Sequence, residues 1–133
     1  MACLSAAMKI IGTGIDLVEV ARVANSIERF GERFLNRVFT GGEIAYCRSK
    51  HNYAERFAAR FAAKEAALKA IGTGWRGGVS WRDVEVRREA GGRPILHYSG
   101  RAGEYAARLG VSQVSLSLSH TAEHAIAQVI IEG

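Results

Sequence analysis

The stretch "RFAARFAAKEAALKAIGTG", residues 56–74, constrains the fold more than any other part of the chain. Seven alanines fall between Ala58 and Ala70, no proline interrupts them, and Gly72 stands where a helix C-cap belongs. Alanine loses no side-chain entropy on entering a helix, so residues 54–71 are predicted to form one long helix. Such a helix presents little bulk on most of its surface, and whatever packs against it can come close. Phe57, Phe61 and Leu68 gather on one stripe, flanked on one side by Arg56, Arg60 and Lys64 and on the other by Glu65 and Lys69. Like charges at i,i+4 cost a few tenths of a kcal/mol per pair, so the three stacked cations need water, a carboxylate or an anionic ligand to offset them.

The rest of the chain supplies partners for that helix. "MKIIGTGIDLVEV" reads as a strand broken by two glycines, with Asp16 at or just beyond its end. Val20, Val23, Ile27, Phe30 and Phe34 recur at three- and four-residue steps, predicting two helical pieces separated at Gly31, and a shorter helix over "EIAYCRSK" follows Gly42. "VSWRDVEVRRE" alternates with period two, and "GGRPILHY" reads as a turn and partner strand with the only proline at its entrance. "GRAGEYAARLG" predicts a short helix ending at Gly110, and "VSQVSLSLSH" and "HAIAQVIIEG" predict two final strands around "HTAE". Helices interspersed with antiparallel strands point to an α+β fold. The 133 residues, 48% hydrophobic, are expected to form a single domain, 1–133, with residues 1–7 as a leader and Met8 as an alternative start.

Eighteen Lys and Arg against thirteen Asp and Glu give a net charge of +5, which favours acidic partners: nucleic acid, phosphate-rich small molecules or an acidic protein. Cys3 and Cys47 have neither metal spacing nor a disulfide framework, so a reducing cytoplasm is the expected setting. No apolar run approaches the roughly 18 residues of a membrane span, and the opening residues do not read as a signal peptide.

Several residues are candidates for chemistry. Asp16 and Glu65 together offer two oxygen ligands of the kind Mg²⁺ accepts beside waters and substrate phosphates. Glu65 and Lys69 are also spaced as an ordinary i,i+4 ion pair, and the spacing alone does not choose between the two readings. His120 ends a strand, where it can meet a ligand or simply satisfy a local hydrogen bond. "GTGWRGG" lacks the GxxxxGK[ST] spacing of a phosphate loop and reads as a connector.

Three blocks occur in order: "GIDLVEVARV" with Asp16 and Arg22, "RFAAKEAALKAIGTG" with Lys64, Glu65 and Lys69, and "SLSHTAEHAIAQVI" with His120. The ordered set, covering nearly the whole chain, resembles the small bacterial holo-acyl-carrier-protein synthases of the 4′-phosphopantetheinyl transferase superfamily. The resemblance implies transfer of phosphopantetheine from coenzyme A to a serine of apo acyl carrier protein, releasing adenosine 3′,5′-bisphosphate, with Mg²⁺ at the pyrophosphate. It implies an antiparallel sheet packed on a long helix, and a trimer with active sites between subunits. By the same resemblance Asp16 and Glu65 bind the metal, and Lys69 sits at the reacting phosphate. Arg60, Lys64 and His120 bind coenzyme A phosphates, and Arg22 faces the carrier. The serine's base is then either Glu65 or a metal-bound water. Arg29, Arg33 and Arg37 extend the basic surface toward an acidic partner. One departure is His124 before "AIA", where an aromatic residue is expected.

Two other classes remain in competition. A basic RNA- or single-strand-binding module would use exposed aromatics as stacking platforms, for which Trp75 and Trp81 are the candidates. A coenzyme A-binding regulator without activity would have no need of two carboxylates beside the phosphates.

Overall fold

The alanine-rich segment folds as one helix whose thinness decides the architecture. In the computed structural model, which describes residues 7–133, it is α4, spanning Tyr53–Ile71 and closed by Gly72 in the left-handed conformation with φ of 78°. Its neighbours in chain order are β1 (Ile10–Glu19), α1 (Val20–Phe30), α2 (Glu32–Val38) and α3 (Gly41–Arg48). After α4 come β2 (Val84–Arg88), β3 (Pro94–Tyr98), α5 (Gly100–Leu109), β4 (Gln113–His120) and β5 (His124–Glu132). The expected leader lies, except for Ala7, outside the described residues.

Three strands form an antiparallel sheet in the order β1-β5-β4, while β2 and β3 make a separate hairpin. The α+β expectation therefore holds, with the antiparallel sheet packed against α4. The break predicted inside β1 does not occur. The strand runs continuously from Ile10 to Glu19, with one shift in its pairing register between Ile10 and Gly12, and carries Asp16 within it, opposite Ala127 of β5, instead of at its end.

Gly12 and Gly14 are there for a different reason. They point toward α4, and a Cβ on Gly14 would lie 1.8 Å from the carbonyl oxygen of Ala66, while one on Gly12 would lie 2.1 Å from that of Ala70. Strand and helix thus meet backbone to backbone, which only glycine on one side and alanine on the other allow. Ala62, Ala63, Ala66 and Ala67 are fully buried in a core shared with Ala127, Val129 and Ile131 of β5. A second core gathers Val20, Val23, Leu35, Val38, Phe39 and Phe57 between α4 and the first three helices.

The first α-helical region divides at Gly31 as predicted. α3 starts with a capping box in which the Thr40 side chain accepts from the Glu43 backbone N–H, and the Glu43 carboxylate accepts from that of Thr40. The strand expected over "VSWRDVEVRRE" is shorter, because Trp81–Asp83 turns as a 3₁₀ segment before β2. The sheet's face away from α4 is uncovered: Ile15 and Leu17 of β1 and Ile126 of β5 are exposed there, with Leu17 and Ile126 directly opposite each other.

Candidate active site

Alternation along β1 puts Asp16 on the same face as Gly12 and Gly14, the face that α4 touches. Because the helix lies so close, its Glu65 and Lys69 reach the same place. Lys69 Nζ donates to Asp16 Oδ1 at 3.1 Å and to the Ile15 carbonyl at 3.0 Å, so its ion pair runs across to the strand. Asp16, Glu65, Lys69 and Arg22 line one cavity of about 400 Å³, walled on its apolar side by Phe34 and Phe61.

The electrostatics of this cavity are unbalanced. Burial, and then the negative charge of Asp16, raise the Glu65 pKa above its ordinary value, against which the Lys69 charge acts in the opposite sense. Lys69 pairs with Asp16 alone among the described residues, which leaves Glu65 in the same cavity without an ion-pair partner and able to share a hard cation with Asp16. Among the described residues no group of three or more His, Cys, Asp or Glu could hold a metal by itself. A pair of carboxylates nevertheless fits Mg²⁺, which keeps several waters and takes its remaining oxygens from substrate phosphates.

A second, smaller cavity of about 160 Å³ is lined by Arg56, Arg60, Tyr46, Arg88 and His120. Arg60 is only 4% exposed, and its Nε has no hydrogen-bond partner. His120 Nδ1 donates to Glu55 Oε1 at 2.9 Å. At about 100° per residue, Arg56 and Arg60 lie on the side of α4 opposite to Glu65 and Lys69, and the two cavities share no lining residue.

Lys64 does not join Arg60. Its Nζ is fully buried and bonds to Glu43 Oε1 at 2.8 Å, to the Trp81 carbonyl at 3.2 Å and to the Val84 carbonyl. Glu43 Oε2 in turn accepts from the Val86 N–H at 2.7 Å. The expected phosphate ligand is thus a pin joining α3, α4 and β2, because the Lys64 side chain runs into the interior between them. Its charge is offset by a carboxylate, one of the three remedies the stacked cations required.

Arg22 lines the rim of the first cavity, and Arg33 and Arg37 flank an adjoining groove floored by Phe30 and Phe34. Trp81 packs on Phe61 and on Trp75, with centroid separations of 4.8 and 3.7 Å, so these rings are engaged with one another. Sequence reasoning did not single out Glu43, Tyr46 or Arg88. The T-x-x-E capping box marks Glu43, but no spacing rule marks the other two, which come from separate elements.

Opposed carboxylates beside a lysine, and an arginine-lined cavity behind them, define a site built for phosphate chemistry. A family model described as the 4′-phosphopantetheinyl transferase superfamily matches residues 12–129. The holo-[acyl-carrier-protein] synthase of Koribacter versatilis is 62% identical over 92% of this chain and 98% of its own length. That of Solibacter usitatus is 55% identical over the same shares. Among solved structures, the synthase of Neisseria meningitidis superposes with a TM-score of 0.85 at 35% identity, covering 94% of this chain and all of that one. The Helicobacter pylori synthase in complex with coenzyme A gives a TM-score of 0.79 at 32% identity, covering 90% and 98%. The chain belongs to the 4′-phosphopantetheinyl transferase superfamily and, within it, to the holo-[acyl-carrier-protein] synthases.

Proposed function

We propose that the Asp16–Glu65–Lys69 cavity is where this chain carries out its family's reaction, the transfer of 4′-phosphopantetheine from coenzyme A to a serine of apo acyl carrier protein. The observation that carries this assignment is the convergence of two carboxylates and a lysine from β1 and α4 on one open cavity. In the reaction the serine hydroxyl oxygen forms a bond to the β-phosphorus of coenzyme A, and the bond to the bridging oxygen breaks, releasing adenosine 3′,5′-bisphosphate. The serine proton goes to Glu65, which lines the cavity beside Asp16 and Lys69. Lys69, held against Asp16, supplies positive charge where it develops on the phosphoryl oxygens. Asp16 and Glu65 would hold Mg²⁺, which when bound neutralises pyrophosphate charge.

Arg60 and His120 take phosphates of coenzyme A at the second cavity. Lys64 has no part in this, since its ammonium is enclosed by Glu43 and two carbonyls. One donor molecule cannot lie on opposite sides of the same helix, so the two cavities are paired between copies of the chain. A homotrimer with inter-subunit sites gives that pairing, and the uncovered face with Ile15, Leu17 and Ile126 is apolar enough to be buried in it. Arg22, with Arg29, Arg33 and Arg37, receives the acidic carrier protein. We place the enzyme in the cytoplasm, in keeping with the free thiol of Cys47; no described helix is long and apolar enough to cross a membrane.

The test is intact mass spectrometry of an apo acyl carrier protein incubated with the enzyme, coenzyme A and Mg²⁺, beside an EDTA control and an Asp16→Asn variant. A gain of one phosphopantetheinyl group that EDTA and the substitution both abolish is the expected result. Full modification by Asp16→Asn removes the cavity from the chemistry.

A further inference from the structure

Tyr46 projects from α3 into the second cavity and is surrounded there by cations. The guanidinium of Arg60 lies 4.3 Å from the centroid of its ring and that of Arg88 4.6 Å, with the Lys50 ammonium at 5.3 Å. The hydroxyl oxygen accepts from Arg56 Nη1 at 3.2 Å and from Arg88 Nη1. None of these four cations has a carboxylate within ion-pair distance among the described residues. Arg60 is almost wholly buried and still has an unpartnered Nε.

A buried guanidinium without a counter-ion is costly, and neighbouring guanidinium groups repel one another. A carboxylate in place of Tyr46 would relieve both, but it would also cancel the charge and occupy the donors. An aromatic face attracts cations through its quadrupole without neutralising them, and a phenolic oxygen accepts hydrogen bonds while remaining uncharged. The cluster therefore keeps its positive potential for a ligand that arrives with more than one negative charge. A phosphate monoester has that charge and enough oxygens for several guanidinium donors.

We propose that Tyr46 is a positioning residue for donor binding, its ring fixing Arg60 and Arg88 and its hydroxyl fixing Arg56 in the arrangement that receives the phosphate monoester of coenzyme A. The inference rests on the reading that this cavity takes donor phosphates. Coenzyme A carries one monoester, on the ribose, and dephospho-coenzyme A lacks only that group, so the two donors isolate the contact.

The experiment measures KM and kcat for both donors, at saturating carrier, with the wild-type enzyme and with Tyr46→Phe, Tyr46→Leu and Tyr46→Glu. Tyr46→Leu is expected to raise KM for coenzyme A about tenfold with kcat within twofold, and to leave KM for dephospho-coenzyme A unchanged. Tyr46→Phe, which keeps the ring, stays within about threefold of wild type. Tyr46→Glu loses at least as much as Tyr46→Leu, although its carboxylate would anchor the same arginines. Equal losses with both donors in Tyr46→Leu, or coenzyme A binding retained in Tyr46→Glu, would overturn the inference. A wild-type enzyme that transfers from both donors with equal KM also overturns it and leaves the reaction assignment standing; transfer from neither donor overturns the assignment itself.

Discussion

Replacing Lys64 by methionine separates its two readings, phosphate ligand and internal pin, by the quantity that changes. In the structure Lys64 and Glu43 form an ion pair at 2.8 Å with both side chains fully buried. The substitution leaves the Glu43 carboxylate inside the protein with the Thr40 and Val86 N–H groups as partners but no counter-ion. Removing one member of a buried pair costs about 3–5 kcal/mol. For a chain of this length that corresponds to a fall in Tm of about 10–20 °C. The Lys64→Met/Glu43→Leu double variant removes both charges. It is expected to recover most of the loss, because an apolar replacement of a buried pair is often neutral. The assay is urea and thermal unfolding followed by circular dichroism at one fixed protein concentration, since association contributes to the midpoint. KM for coenzyme A of the folded Lys64→Met enzyme is expected to stay within about threefold, as the lysine lines neither of the two cavities described above. A loss below about 1 kcal/mol, or a double variant that falls by the sum of the two single changes, refutes the pin. A tenfold rise in KM at unchanged stability would restore the phosphate reading.

Three further outcomes are expected. Glu65→Gln nearly abolishes transfer yet raises Tm at pH 7: the folded-state pKa of Glu65 is raised, so the native state's advantage is present below the ordinary value of 4.5 and is lost as pH climbs through the raised one. Its stabilisation relative to wild type therefore shrinks toward pH 4, and a gain that does not vary with pH would contradict the cause assigned. Gly14→Ala forces a methyl group to within 1.8 Å of the Ala66 carbonyl and is expected to cost at least about 1–3 kcal/mol, with loss of activity in the surviving folded fraction; wild-type Tm and turnover would show that strand and helix are not in contact there. Arg22→Glu raises the carrier's KM at least tenfold more than that of coenzyme A, and equal effects on both substrates would remove its docking role.

Much of this was legible because it depends on local rules. Alanine density, the Gly72 cap and period-two alternation are properties of neighbouring residues, and α4, the β2–β3 hairpin and the final strands follow from them. Asp16, Glu65 and Lys69 could be singled out because their types suit phosphate chemistry, and the structure brings all three to one cavity. What escaped depends on depth and on pairing between distant elements. The glycines of β1 looked like breaks, because their role is set by a helix some fifty residues later in the chain. Lys64 shares the i,i+4 row with Arg60, but helical spacing does not reveal that Glu43 waits beneath it. Tyr46 gathers arginines from α4 and β2, an arrangement with no signature along the chain.

The backbone contact between β1 and α4 also bears on how the site moves. Asp16 and Glu65 stand on elements with no side-chain layer between them to flex, so the carboxylates cannot drift apart by rotamer changes in an intervening core. Separating their backbones means lifting a strand off a helix and exposing the alanine interior, an event of near-global cost. Amide hydrogens of β1 paired with β5, and those at the middle of α4, are accordingly expected to report one common opening free energy by hydrogen exchange. A cation held between them would leave by escape past the mouth of the cavity, with its two carboxylates still in register.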